Sequence, residues 1–236
     1  MNMRNIFAAI MLLAASVLSA QTPSERYEQK YNMLVSQFGP AGIGDSTNAK
    51  LLLARFDLLF NKAQSVNVVM KDSKKYLGMD PILTFKDSLQ RNVYCYQETF
   101  FDDDLYGRSI KAIDKAISVW PDRLDFRFVK ANALIAYEKE SPDMAMNYLK
   151  SLVAEASRRS DDWDYAGTKV GKDFISDAMQ EYCYSLYAIG SAQSRDAFLE
   201  LSELLSGIFP DNLQFVNNMG SYYLLKEDYK TALKHY

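Results

Sequence analysis

Histidine is nearly absent from this chain. His235, beside the terminal residue, is the only one in 236 residues. A nucleophile–histidine arrangement would therefore depend on a position at a fraying end. Cysteine is almost as scarce. Cys95 and Cys183 lack the close spacing of metal ligands, and their neighbours are tyrosines (Tyr94, Tyr96, Tyr182, Tyr184), which predicts inert, buried thiols. Basic residues never run longer than a pair, as in Lys74-Lys75 or Arg158-Arg159, and the net charge is −3. Nucleic acid binding thus has no electrostatic footprint. A glycine-rich phosphate loop and a dinucleotide fingerprint are both missing. The carboxylate runs Asp102-Asp103-Asp104 and Asp161-Asp162-x-Asp164 lack the glycine and terminal glutamate of a calcium loop. They read instead as helix caps or solvated loop. No catalytic residue, metal site or cofactor is expected from this inventory, and the chain is not read as an enzyme. Carboxylate pairing for glycoside hydrolysis stays open, because it is a tertiary property.

Long apolar runs are missing too, with one exception. After Arg4 the sequence is apolar from Ile6 to Leu18 and leaves through Ser19-Ala20. A basic start, about 13 apolar residues and a small-residue exit compose a secretory signal peptide over residues 1–20. Such a run is short of the ~20 residues that span a bilayer. Leu18 departs from the usual small residue at that position, and an uncleaved anchor is the alternative. No integral span is expected after cleavage, and a periplasmic or secreted location follows.

What the chain does contain is hydrophobic and aromatic: 48% hydrophobic residues, with 16 Tyr and 13 Phe. That is enough for a large core. Residues 21–101 form one region. Tyr27, Tyr31 and Leu34 recur at helical spacing, then Phe38–Gly44 breaks the pattern and Asp45-Ser46-Thr47-Asn48 offers caps. Leu52, Phe56, Leu59, Phe60 and Ala63 share the face of a second helix. Val66–Met70 is β-branched, and Ile82–Phe85 with Val93–Tyr96 reads as a hairpin about a polar turn. Val93-x2-Tyr96-x3-Phe100 also fits a helix; a small β insertion near residues 65–97 is the preferred reading.

Residues 102–236 alternate helical stretches with turns: Asp104–Val119, Leu124–Glu140, Met144–Ala156, a long polar loop from Ser157 to Lys172, Phe174–Ile189, Ala192–Phe209, and a final pair from Leu213. The last segment reads Val216-x2-Met219-Gly220-x2-Tyr223, then Tyr229, Ala232 and Tyr236, after Pro210. It resembles the tetratricopeptide repeat, with Gly220, Tyr223 and Ala232 matching outright and Val, Met and Tyr replacing the Trp, Leu and Phe. Glycine and alanine would let two helices cross closely, and the tyrosines would fill the flanks. An ordinary hairpin of a globular bundle is the plainer alternative. The middle pairs lack the glycine and carry insertions.

The resemblance implies an all-α, helical-hairpin solenoid binding a protein or peptide in a concave groove, of the exported bacterial type. Its groove positions fall on Gln214, Asn217 and Ser221, and on Asp125, Phe128 and Asn132. The lysine and arginine partners of the family's carboxylate clamp are missing. Trp163, among carboxylates in Ser160–Tyr165, is a further contact candidate; it would equally pin its own loop. A glycan- or nutrient-binding protein at the cell surface is the alternative function. The chain ends inside a helix of the last repeat, and we expect either a longer natural protein or a partner over that end, with the longer protein preferred.

Overall fold

A computed structural model describes residues 22–38, 48–159 and 163–236. The expected signal segment, the break at 39–44, the cap candidates at 45–47 and the acidic residues at 161–162 lie outside the described residues. The chain is mainly helical with a small antiparallel sheet.

Helix α1 (Pro23–Phe38) packs on α2 (Ala49–Lys62) through Leu34, Leu51 and Ala54. Asn48 starts α2 by accepting a hydrogen bond from the Leu51 amide at 3.0 Å. The chain then leaves the helical layer for β1 (Gln64–Lys71), β2 (Leu83–Lys86) and β3 (Asn92–Phe101), with β3 in the centre. Ile82–Phe85 and Val93–Tyr96 do form the expected hairpin: Leu83 faces Cys95 and Phe85 faces Val93. The helical alternative for Val93–Phe100 is thereby excluded. Both faces of β3 are covered in its middle, since the neighbours Cys95 and Tyr96 are buried alike, and the ladder to β1 and β2 fixes it as a strand.

The sheet is an insertion in the turn of a helical hairpin. Gln64 pairs with Phe101, and the Asp102 amide donates to the Ala63 carbonyl at 2.8 Å, so entry and exit are adjacent. Helix α3 (Asp103–Val119) then packs back along α2, sharing a core of Leu52, Phe56, Tyr106, Ala112, Ile113 and Ala116. This core joins residues from both sides of residue 101. Asp102 caps α3 through the Leu105 amide at 2.9 Å, with Asp103 and Asp104 in the first turn. That carboxylate run is a helix start, as its sequence suggested.

Three more hairpins follow: α4 (Leu124–Glu138) with α5 (Asp143–Arg158), α6 (Lys172–Ile189) with α7 (Ala192–Ile208), and α8 (Gln214–Leu225) with the short α9 (Tyr229–Ala232). Pro210 follows α7, and Asn212 accepts from the Gln214 amide at 3.1 Å. Lys226, Glu227 and Asp228 make the last turn, with Glu227 at φ +60°. One core runs through α4–α8, including Leu124, Leu149, Ile175, Met179, Leu201 and Phe215. Helices α4, α6 and α8 stand side by side. Phe128 touches Phe174 and Tyr182. Gln180 and Asn218 exchange two buried hydrogen bonds at 3.1 and 2.9 Å.

The segment 157–172, expected as a plain polar loop, contains a second hairpin: β4 (Trp163–Tyr165) and β5 (Thr168–Val170), turning through Ala166 and Gly167, both at positive φ. Three-residue strands give too few alternations to announce themselves in sequence.

Candidate functional site

The segment after β1 borders a recess of the surface. Tyr76 and Met79 close a two-residue turn through Leu77 (φ +50°) and Gly78 (φ +74°), with the Met79 amide donating to the Tyr76 carbonyl at 2.9 Å. Positive φ at both central positions suits glycine but strains a leucine, at a cost on the order of 1 kcal/mol. Docking supports the turn. The Gly78 backbone lies against the end of α6, where a Cβ would sit 2.0 Å from the Ala188 carbonyl oxygen. Glycine is required there twice, for φ and for space.

Docking leaves a cleft of about 550 Å³ between the turn and the α6–α7 junction. Lys75, Tyr76 and Leu77 of the insertion and Tyr187, Gly190, Ser191 and Arg195 of the α6–α7 region line it, together with Glu140 and Leu225. Ser191 both caps α7, accepting from the Ser194 amide at 2.9 Å, and donates to the Glu140 carbonyl at 2.6 Å. That ties the α4–α5 turn to the α6–α7 turn. Lys75 pairs with Asp80 at 2.7 Å. The cleft therefore offers tyrosine and leucine surface with charges of both signs at its rim.

A buried cluster holds this arrangement to the helices. Glu98 of β3 accepts from Lys139 just after α4 and from the Tyr76 hydroxyl at 3.1 Å. Burial pushes the Glu98 carboxyl up, but the Lys139 hydrogen bond and charge, together with the Tyr76 hydroxyl, outweigh it and hold the group below its ordinary value. Burial, then the Glu98 hydrogen bond and the Glu98 and Glu140 charges, holds the Tyr76 hydroxyl above its own. Tyr96 donates to the Ser73 carbonyl at 2.6 Å, and its ring lies 5.5 Å from that of Tyr76. These contacts tie the turn and β3 to the end of α4. Among the described residues no group of three His, Cys, Asp or Glu is placed to hold a metal ion. No described helix is long and apolar enough to cross a membrane.

The residues singled out from sequence are not gathered in one place. Trp163 is only 1% exposed. The Arg159 and Arg127 guanidinium groups lie 4.5 and 5.1 Å from its ring centre, and Arg127 is held by Glu155 at 2.8 and 3.1 Å. It pins its own hairpin to the helices; an incoming partner does not reach it. Asp125 accepts two hydrogen bonds from Arg123, at 2.8 and 2.6 Å, and Arg123 also pairs with Asp164 at 3.2 Å. Phe128 is half-buried between Tyr165, Phe174 and Tyr182. Asn132, Gln214 and Asn217 are exposed. Ser221 is half-buried and hydrogen-bonded to the Tyr236 hydroxyl at 3.1 Å. Gln214 lines a second cleft of about 490 Å³ with Lys172, Asp177 and Asp211. Of the expected groove positions, then, Asn132, Gln214 and Asn217 are the exposed ones.

Sequence reasoning passed over the 72–82 segment. Its local signals were Gly78 and Pro81, which break a short mixed stretch. Cys95 and Cys183 are both buried and not joined in a disulfide, as their surroundings predicted. Burial pushes the Cys183 thiol up to about 12.

Comparison with known proteins gives no match to a family model, to a curated protein or to a solved structure.

Proposed function

We propose that the chain is an exported, non-catalytic, tetratricopeptide-like scaffold that holds a segment of a partner protein along the exposed sides of α4, α6 and α8. One observation carries this reading. The Phe128–Tyr182 and Gln180–Asn218 contacts lock the three helices in a row, yet Asn132, Tyr184 and Asn217 on them stay exposed. A rigid row with unspent aromatic and amide groups fits recognition better than catalysis, since binding surfaces favour tyrosine anchors ringed by polar groups. The hairpin order supports the scaffold reading. The resemblance of Val216–Tyr236 to the repeat adds to it: Gly220 is so closely covered by the Tyr236 ring that a Cβ would meet it at 2.8 Å.

Affinity capture from an envelope extract tests the reading. The expected result is a protein enriched by the wild type and lost by the double variant Tyr184→Ala, Asn217→Arg. No enriched protein, or one retained by that variant, ends the proposal. The glycan alternative would use exposed Tyr/Trp stacking; Trp163 is buried, which leaves it exposed tyrosines such as Tyr184 and Tyr187.

A further inference from the structure

Among the described residues, β1 is an open edge of the inserted sheet. β1 turns one side to β3 over eight consecutive pairs, from Gln64 opposite Phe101 to Lys71 opposite Tyr94, with no bulge. Alternate backbone groups face the other way. Among the described residues, the backbone of residues 65–71 has no hydrogen-bond partner outside this ladder. Such edges are normally blocked by proline, bulges or charge along the strand, because unpaired N–H and C=O groups template further pairing. β1 reads QSVNVVMK: it has no proline, and its one charge, Lys71, stands at the end. The side chains beside the edge are apolar and bare. Val66, Val68 and Met70 share a face and are 60%, 61% and 67% exposed. Leu83 and Phe85 of β2 lie on that same face, since Met70 and Leu83 both oppose Cys95. The opposite face is occupied by Tyr76 and Lys139. Apolar surface therefore continues across the sheet up to the unpaired edge.

We propose that β1 is a homodimerisation strand: two copies join edge to edge, antiparallel, into a continuous six-stranded sheet. Self-complementarity names the occupant. A twofold axis through the sheet at Val68 sets that residue opposite itself, Val66 opposite Met70, Asn67 opposite Val69 and Ser65 opposite Lys71. Each exposed apolar side chain of the face meets an apolar one. The only charge meets a hydroxyl, so no like charges oppose each other. The twofold also keeps the Leu83 and Phe85 faces of both copies on one side, doubling the apolar strip. Seven paired residues span about 24 Å at roughly 3.4 Å each. That puts the contact at the low end of interface sizes, with dissociation in the micromolar range. This inference is independent of the groove reading.

Sedimentation equilibrium of the purified protein, from about 1 to 200 µM around the affinity expected for so small an interface, tests it. The wild type should shift from one to two chains over that range. Val68→Lys and Val68→Glu, which change a side chain already in solvent, should each stay monomeric with unchanged circular dichroism. Their equimolar mixture should regain the doubled mass, because Lys then faces Glu. As a second measurement, Val68→Cys should form an intermolecular disulfide under mild oxidation, while Ser88→Cys at the hairpin tip should not. A wild type that stays monomeric at 200 µM, or a dimer that survives Val68→Lys, overturns the proposal. The first result would point to a strand of a different protein as the edge's partner.

Discussion

Gly78 and Ala188 touch backbone to backbone: a methyl group on the first would stand 2.0 Å from the carbonyl oxygen of the second. This contact joins the β insertion to the end of α6 and so forms the large cleft. Gly78→Ala should undock the turn, because the obstacle is main chain and φ is +74°. The expected cost is about 1–3 kcal/mol. It should appear as faster amide hydrogen exchange over residues 72–82 and 188–191, with the core of α4–α8 still protected. Gly107→Ala is the control. It lies inside α3 with nothing within 4 Å of the new methyl, and should stabilise by about 0.5–1 kcal/mol in chemical denaturation.

Glu98 gives the fold an acid-sensitive tie. Its carboxyl titrates below the ordinary value because Lys139 and Tyr76 favour the charged form over the opposing effect of burial. The folded-state pKa is depressed, so the contribution is present above the unfolded value near 4.5 and is lost as pH falls through the folded one. Glu98→Gln should remove part of the acid-induced loss of stability below pH 4.5. At pH 7 it should cost about 1–3 kcal/mol, since Lys139 loses its buried partner. Urea midpoints of both proteins at pH 7 and in the acid range check both statements.

Trp163 should behave as a core residue. In a Trp120→Phe background its emission should be blue-shifted and poorly quenched by iodide, and should move to the red only on unfolding. Trp163→Ala should cost about 3–5 kcal/mol, as expected for a large buried aromatic side chain. A solvent-like emission maximum in the native protein would contradict the burial described above.

The Gln180–Asn218 pair is suited to a double-mutant cycle. Gln180→Leu strands the Asn218 amide in the core and should cost about 1–3 kcal/mol, as should Asn218→Leu. Replacing both removes the unsatisfied groups together, so the double variant should be less destabilised than the sum of the two. Additive losses in denaturant unfolding would show the two bonds to be uncoupled.

Native thiols should be silent. Both cysteines are buried, and the Cys183 thiol is pushed up to about 12 by burial, against the weaker opposing hydrogen bonds of Ser202 and Asn218. A thiol reagent at pH 8 should label neither in the native state and two per chain in denaturant. The folded pKa lies above the ordinary thiol value of 9.0, so this site's stabilisation is complete below pH 9 and declines as pH rises toward 12.

Short-range patterns carried the elements into view. Helical spacing marked α2, α3 and α5, Asp102 and Asn48 cap where side-chain oxygens can reach the next amides, and two short apolar runs about a polar turn marked the hairpin of β2 and β3. Gly220 was legible as a close-contact position, and Tyr236 indeed covers it. The sites were another matter. Nothing near Trp163 in sequence revealed that Arg127 and Arg159 would enclose it, or that Asp125 would be taken up by Arg123. Local periodicity by itself determined which segments coil or extend, because each hydrogen-bonded turn or ladder answers to neighbours a few residues away. Which side chains stay free for a partner, and where the 72–82 segment lands, only the tertiary structure decided, since those outcomes depend on contacts such as Gly78 with Ala188 between residues remote along the chain.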